Sequence, residues 1–240
     1  MLPDAAHDAS SEAAATAHRA RVAGLQRALA QDAGAVGLRK TTSNLFRDRR
    51  EQGKRRLDVA PFDHVLRVDA AAGWVDAEGM VPYDVLADAC LANGVMPAVV
   101  PELKSITLGG AAAGVGIEAT SFRHGLVHDT LREIDVLTAG GEVVTATRDN
   151  AHADLFYGFP NSYGTLGYAL RVRASVIPVR PYVAVEHRPF RSVRDYLAAL
   201  VQACASEADF IDGVVFAPDR FVLSVARFSD HAAYCSDYTY

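Results

Sequence analysis

Apolar residues recur at helical spacing in three stretches of the chain. Residues 13–31 are rich in alanine and predict a first helix, and residues 81–94 predict a second one that ends before Gly94. Residues 191–205 predict a third. The predicted apolar faces carry Val22, Leu25 and Leu29 in the first helix, and Val85, Leu86, Ala89 and Cys90 in the second.

Other stretches alternate apolar and polar residues, or are rich in β-branched residues, and predict strands. Helices and strands do not alternate regularly along the chain, so the pattern predicts an α+β fold rather than repeated βαβ units. A short helix is expected at residues 150–157. The basic run at residues 47–56 predicts a solvated loop, and a surface that attracts an anionic cofactor or substrate is the alternative. Single strands are predicted at 35–46, where the strand leads into a loop, and at 168–179. A pair of strands is predicted within 64–79. Hairpins are predicted at 131–147, around Gly140 and Gly141, and at 211–228.

Composition narrows the class of protein. The chain has 240 residues, half of them hydrophobic, with a formal net charge of −5. It can therefore bury a core, and it has no basic character of the kind that binds nucleic acid. The three cysteines are widely spaced, which disfavours a disulfide scaffold or a structural zinc site. The absence of a signal-like or long apolar segment predicts a cytoplasmic protein with no integral membrane segment.

Small residues are concentrated between Pro101 and Gly125, and no long side chain stands between Leu108 and Ile117. A backbone this bare allows close approach of a ligand, and phosphate groups are typical ligands of exposed N–H groups. A second stretch rich in small residues covers 154–167. Together they predict a large phosphate-bearing cofactor that is held at two places. The fragment Gly114–Ala119 matches the loose G-x-G-x-x-A form of a nicotinamide-binding fingerprint, but the prolines upstream disfavour the strand that this motif requires.

The combined pattern carries a more specific resemblance. It runs P-E-L-x-x-I-T-L-G-G, then G-x-G-I-E-x-x-S and H-G-L, followed by I-D-V-L-T-A-G-G-E-V-V, D-L-F-Y and G-T-L-G. This resembles the FAD-binding (PCMH-type) domain of the vanillyl-alcohol oxidase and p-cresol methylhydroxylase superfamily, in particular its sterol Δ24-reductase branch. The resemblance is close over residues 37–183 and fainter to residue 240.

The resemblance implies a two-lobed domain that holds FAD, followed by the start of an α+β cap domain. We therefore expect a flexible tail at 1–12, an FAD-binding domain at 13–183 with lobes of 13–98 and 99–183, and a truncated cap at 184–240. The chain's strand-like end also suggests part of a longer protein. The residues implied to line the cofactor are Thr107, Leu108, Gly109, Gly110, Gly114, Gly116, Ile117, Glu118 and Ala119, with Gly164, Thr165 and Gly167 as a second wall.

Two features depart from the family pattern. Residues 37–46 read GLRKTTSNLF where many members have a glycine-rich phosphate loop. No clear flavin attachment motif is visible, so non-covalent FAD is expected, although His124 remains a candidate for attachment or for a simple loop cap. His124 and His128 are four residues apart, but Gly125 lies between them, and no metal site is predicted.

These observations predict an FAD-dependent oxidoreductase that reduces a C=C bond of a sterol-like or lipid-like small molecule, with NAD(P)H as a candidate electron donor. Two alternatives stay open. One is an FAD-dependent alcohol or sugar oxidase, and the other is a fragment that binds FAD without catalysis. The sequence identifies no catalytic side chain, because most of the cap that supplies such residues is not among these 240 residues.

Overall fold

The computed structural model describes residues 5–31, 34–40 and 55–236. The predicted loop at 47–56 and the donors of residues 41–46 therefore lie largely outside the described residues. Helix α1 spans Ala5–Ala30, and a parallel pair, β1 (Val36–Arg39) and β2 (Arg55–Asp58), stands beside it. α1 and the β1–β2 pair share one apolar core. Its buried side chains include Leu25, Leu57, Val59 and Phe62.

A six-stranded antiparallel sheet forms the centre of the molecule. Its order is β3-β4-β8-β6-β7, and β5 also pairs with β8. Alternating residues of β8 point to opposite faces, so that Val172 and Ala174 are buried in the main core while Arg171 and Arg173 point away from it. The strands are β3 (Val65–Asp69), β4 (Trp74–Glu78), β5 (Val95–Pro97), β6 (Leu131–Leu137), β7 (Val143–Thr147) and β8 (Tyr168–Pro178).

Short helices cover the apolar face of this sheet. They are α2 (Tyr83–Leu91), α3 (Leu108–Ala113), α4 (Ser121–His124), a 3-10 helix (Val127–Thr130) and α5 (Ala153–Gly158). Leu86, Leu108 and Phe156 belong to the same buried cluster as the strands, so the core is formed between this helical layer and the sheet.

A second, three-stranded antiparallel sheet follows the main one. It has the order β10-β11-β9, formed by β9 (Tyr182–Phe190), β10 (Phe210–Ala217) and β11 (Arg220–Ser229). Helix α6 (Val193–Cys204) packs on one face, where Tyr196 stacks on Phe221 and Leu223 is buried. We refer to residues 182–229 as the cap sheet and its helix.

Most predicted elements are confirmed, including both hairpins and the three long helices. Several expectations were wrong in detail. Residues 5–12 of the predicted tail are helical, Arg55 and Arg56 belong to β2 rather than to a loop, and Val85 is 46% exposed instead of facing the core. The proline-rich stretch near Pro181 holds β9, an edge strand of the cap sheet, where Pro189 is tolerated.

The predicted division between two lobes at residues 98 and 99 does not coincide with a division between sheets. β3, β4 and β5 come before that point, and they pair with each other or with β8, which comes after it. The domain boundaries therefore stay a prediction. In the part of the chain that the structure describes, no helix combines the length and the apolar character needed to cross a bilayer.

Candidate functional site

The first small-residue segment begins as a capped helix. Thr107 precedes α3, and its hydroxyl oxygen accepts a hydrogen bond from the Gly110 N–H at 3.2 Å. Leu108, Ala111 and Ala112 of this helix are buried in the main core. α3 therefore contributes side chains to the core, although Gly110 itself is exposed.

Gly109 lies where two stretches of backbone meet. Its N–H donates to the carbonyl of Gly79 at 2.9 Å, and a Cβ at Gly109 would stand 2.7 Å from that oxygen. Gly79 has a similar constraint, since a Cβ there would lie 2.0 Å from the carbonyl oxygen of Ala169. These glycines allow α3 to pack directly on the sheet. The amides of Gly109 and Gly110 are both engaged within the protein, so their predicted role at a pyrophosphate remains a prediction.

The backbone after α3 is held by the turn that follows. The Gly116 carbonyl accepts from the Val127 N–H at 3.1 Å, and a Cβ at Gly116 would lie 2.9 Å from the Val127 side chain. The Glu118 N–H donates to the Ser121 hydroxyl at 2.9 Å. Gly114–Ala119 follows a helix rather than a strand, so the context of the nicotinamide-binding fingerprint is absent.

The two small-residue segments lie against each other. The Tyr163 N–H donates to the Ala113 carbonyl at 3.1 Å, and the Asn161 N–H is 3.4 Å from the Gly114 carbonyl oxygen. Asn161 and Tyr163 have φ values of 59° and 50°. Gly167 packs so closely on β6 that a Cβ there would lie 2.6 Å from the Leu137 oxygen. Gly164 and Thr165 are exposed in the same loop.

Apolar side chains are exposed along both segments. Ile117 is 74% exposed, and Val115, Leu103, Tyr163 and Leu166 are each at least 40% exposed. Exposed apolar groups gathered in this way typically mark a ligand-binding or interaction surface. The side-chain oxygens of Ser162 and Tyr168 are buried and, within the described residues, have no hydrogen-bond partner. Buried oxygens of this kind are normally satisfied, so they indicate a polar ligand group or water at this position.

Glu118 is the electrostatically unusual residue of the site. Burial raises the pKa of its carboxyl above the ordinary value, and the neighbouring carboxylates of Glu102 and Asp212 raise the pKa further. A hydrogen bond from the Glu102 N–H to Glu118 Oε1, at 3.3 Å, acts in the opposite direction. The site therefore retains a proton on this carboxyl more readily than on an ordinary glutamate.

His124 is half-buried at the end of α4. Burial lowers the pKa of its imidazole, and the adjacent Arg123 guanidinium lowers it further. A neutral imidazole at ordinary pH has the protonation state of a nucleophile, so the question of flavin attachment at His124 stays open to experiment.

A buried carboxylate near the site was not identified from the sequence. Glu78 ends β4 beside Gly79 and is fully buried; it accepts hydrogen bonds from Arg21 Nε at 2.9 Å and from the His64 N–H at 3.1 Å. His18 Nδ1 lies 2.7 Å from Glu78 Oε1. Burial opposes ionisation, but these hydrogen bonds hold the pKa of Glu78 below its usual value. The signal was present, since a glutamate in an otherwise buried strand requires partners.

Asp63, His64 and Glu78 offer ligand atoms within 4.8 Å of one another, a spacing that could hold a metal ion. The Glu78 oxygens are already occupied by cationic and N–H donors, however. Glu78 instead joins His18 and Arg21 in a network that ties α1 to β4.

The opposite face of the main sheet holds a cavity of about 400 Å³ beneath α1. Arg173 pairs with Asp76 through two hydrogen bonds and lies 4.1 Å from the centre of the Trp74 ring. Arg171 contacts Asp76, Asp135 and Glu133. Both guanidinium groups are thus paired with carboxylates, and no predicted site residue lines this cavity.

The fold is an α+β domain in which two segments rich in small residues pack against each other. Residues 13–147, more than half of the chain, match the model of the FAD binding domain. The chain belongs to this family, as its motifs predicted.

Individual proteins similar to this chain include sterol reductases and a cytokinin dehydrogenase. The chain is 29% identical to a Delta(24)-sterol reductase of Pisum sativum and 32% identical to one of Arabidopsis thaliana, each over 72% of this chain and 32% of the relative. It is 31% identical to Cytokinin dehydrogenase 7 of Oryza sativa subsp. japonica over 62% of this chain and 30% of the relative. The chain thus spans about a third of the length of these curated relatives.

Proposed function

We propose that this chain forms the FAD-binding part of an oxidoreductase that reduces a C=C bond of a sterol-like or lipid-like molecule. The supporting observation is the packing of the segment 107–119 against the segment 161–167, in a chain whose family binds FAD and whose relatives include Delta(24)-sterol reductases. When it is bound, FAD supplies the redox chemistry of such a reaction.

The described residues fit a cofactor that is flat and apolar at one end and polar at the other. Val115, Ile117 and Tyr163 offer exposed apolar contacts, while the buried oxygens of Ser162 and Tyr168 offer hydrogen bonds. In this proposal Thr107 and the glycines at 109, 110, 114 and 116 form one wall. Leu108 supports this wall from the core. The second wall is formed by Gly164, Thr165 and Gly167.

We propose that the flavin is held without a covalent bond, because the sequence has no clear attachment motif. NAD(P)H is the proposed electron donor, by analogy with the reductive direction of the named relatives. The cytoplasmic location stays a prediction. Visible absorption after acid precipitation tests the first point: flavin released to the supernatant supports it, and flavin that remains with the protein would contradict it and make His124 the first residue to replace.

Replacing Ile117 by aspartate tests the placement of the cofactor. Ile117 is 74% exposed, so the change is expected to leave the unfolding free energy within about 0.5 kcal/mol. A charge against an apolar ring would weaken flavin binding at least about tenfold, which corresponds to about 1.4 kcal/mol. The measurement is flavin fluorescence quenching on titration of FAD into the flavin-free chain.

Val201 offers the matched control, because it is 70% exposed on α6, in a different part of the molecule. Val201→Asp should bind FAD as the unchanged chain does. If both variants bind FAD equally well, Ile117 does not contact the flavin and the proposed site is misplaced.

An FAD-dependent oxidase of an alcohol or sugar is the second candidate, and the match to a cytokinin dehydrogenase supports substrate oxidation as the alternative direction of the reaction. Anaerobic reduction of the bound flavin separates the two. Bleaching by NAD(P)H supports the reductase, whereas bleaching by an alcohol or sugar alone supports the alternative.

A chain that spans about a third of its relatives could also bind FAD without turning over. Bound flavin that neither NAD(P)H nor any of these substrates reduces would favour this third candidate over both enzymes.

A further inference from the structure

One face of the cap sheet is left open by α6. Antiparallel pairing places directly opposed residues on the same face, and Gly213 lies under the Tyr196 ring of α6, where a Cβ would be 1.9 Å from the Tyr196 hydroxyl. The residues next to Gly213 in β10 therefore point to the other face. Phe210 and Phe228 meet there edge to face, with ring centres 5.1 Å apart.

The open face is mostly apolar and much of it is exposed. Val183, Val185 and Val214 are 44%, 49% and 40% exposed. Register adds further apolar residues to this face: Pro189, Phe210, Val222, Ala226 and Phe228.

A single polar row crosses this apolar face. The register pairs Ser224 of β11 with His187 of β9 on one side and with Asp212 of β10 on the other. His187 Nδ1 lies 2.8 Å from the Ser224 hydroxyl oxygen, so these two side chains are hydrogen-bonded across the strands. In either tautomer of His187, the Ser224 hydroxyl keeps a hydrogen-bonding position for another group.

The polar row begins next to the small-residue segment. The Ile211 N–H donates to the Ala119 carbonyl at 2.8 Å, and Arg123 Nη2 donates to the Ala208 carbonyl at 2.9 Å. These bonds join the cap sheet to residues 118–123. Asp212, which follows Ile211, is close enough for its charge to act on Glu118. β10, which carries Asp212, is thus joined directly to the segment of the proposed cofactor site.

We propose that His187, Ser224 and Asp212 are the specificity-determining residues of the substrate site, and that the Ser224 hydroxyl binds the polar group of an otherwise apolar substrate. This inference rests on the proposed function. An apolar wall with one polar row fits a molecule that has an extended apolar skeleton and a single hydroxyl or carbonyl group. A charged or highly polar substrate would leave the valines and phenylalanines of this face without a matching surface.

Binding of two probes to the full 240-residue chain tests the assignment. The first probe is the fluorescent sterol dehydroergosterol, which has one hydroxyl, and the second is its 3-deoxy analogue. The unchanged chain should bind the alcohol more tightly. Ser224→Ala should weaken alcohol binding about threefold to tenfold, as expected for one lost hydrogen bond, and leave the analogue unchanged.

Two further variants separate recognition of the probe's hydroxyl from a general effect on the structure of the sheet. Ser224→Thr keeps the hydroxyl and should restore the preference for the alcohol. Arg188→Gln changes β9 on the face toward α6 and should alter neither affinity. Equal affinity for the two probes, an equal loss of both in Ser224→Ala, or no binding of either probe would overturn the assignment.

Flavin content of the same samples distinguishes this inference from the proposed function. If the chain binds FAD but does not discriminate between the probes, only the proposed role of the polar row is refuted. Discrimination between probes in a chain that does not bind FAD would refute the proposed function and leave the polar row as a binding site.

Discussion

Gly109 illustrates how much of this structure depends on single residues. It lies against Gly79. Neither position has room for a Cβ, because backbone atoms of another segment pass within van der Waals distance of each. Its two short contacts are to backbone atoms, which cannot move aside as the end of a flexible side chain can. A site residue proposed for a cofactor is thus also a packing residue of the apoprotein.

Replacing Gly109 by alanine should therefore lower the unfolding free energy by about 1–3 kcal/mol, the usual cost of overpacking. Chemical denaturation measures it. Gly24→Ala is the control, since its Cβ meets only an arginine end at 3.9 Å within α1, and it should stabilise the protein by about 0.5–1 kcal/mol. If Gly109→Ala left the unfolding free energy unchanged, α3 would be able to move away from the sheet.

Glu78 and Glu118 should respond to neutralisation in opposite directions. The pKa of Glu78 is lowered, so its ionised form stabilises the fold above the unfolded value of 4.5, and this stability is lost as pH falls through the folded pKa. Glu78→Gln should cost about 3–5 kcal/mol near neutral pH, as for a broken buried ion pair, and should flatten the acid side of the stability curve.

The pKa of Glu118 is raised instead, so its ionised form opposes folding at neutral pH. Glu118→Gln should slightly raise the melting temperature at pH 7, and the gain should shrink as pH falls through the folded pKa. Thermal melts of both variants across pH 3–8 provide the comparison. A loss of stability in both variants at pH 7 would contradict the assigned environment of Glu118.

At the scale of elements, the loop of residues 161–167 is the strained connection between α5 and β8. Asn161 and Tyr163 adopt the left-handed backbone conformation, which costs residues other than glycine about 1–2 kcal/mol and is tolerated best by asparagine. The loop keeps this shape because its N–H groups donate to the end of α3.

Asn161→Gly should accordingly be neutral to slightly stabilising, whereas Asn161→Val should lower the unfolding free energy by about 1–2 kcal/mol. Flavin affinity should follow the same order, because the loop forms the second wall of the proposed site. Equal stability of the two variants would show that the left-handed conformation is not required.

At the scale of the whole molecule, two of the three buried clusters lie entirely within residues 22–176, and the third belongs to the cap sheet and α6. Phe122 packs on that third cluster from outside the cap, and Arg123 donates to the carbonyls of Ser206 and Ala208. The cap sheet and its helix therefore have their own core but are joined to α4.

A chain shortened to residues 1–180 should still fold cooperatively, with far-UV circular dichroism of a mixed α and β protein. Its stability should be lower, because Phe122 and Arg123 lose their partners. Adding Phe122→Ser to the shortened chain should reduce its aggregation without a further loss of stability. Complete unfolding of the shortened chain would indicate that the cap is part of one indivisible core.

The sequence by itself determined the elements whose signals are local. The alternation in β8, the turn residues of both hairpins and the apolar spacing of α6 depend on neighbours a few residues apart, and each predicted element is present. The joint motif pattern also predicted the FAD binding family, because its motifs follow one another in a fixed order and spacing between Pro101 and Gly167.

Only the tertiary structure decided which of these residues meet. Gly79 and Gly109 are thirty residues apart, Glu78 takes partners from α1, and His187, Ser224 and Asp212 come together through strand register. No local period encodes such contacts, since they depend on how separate elements pack. The same reason explains why the edge strand β9 was missed: Pro189 within it is compatible with a strand only at the edge position that the folded sheet provides.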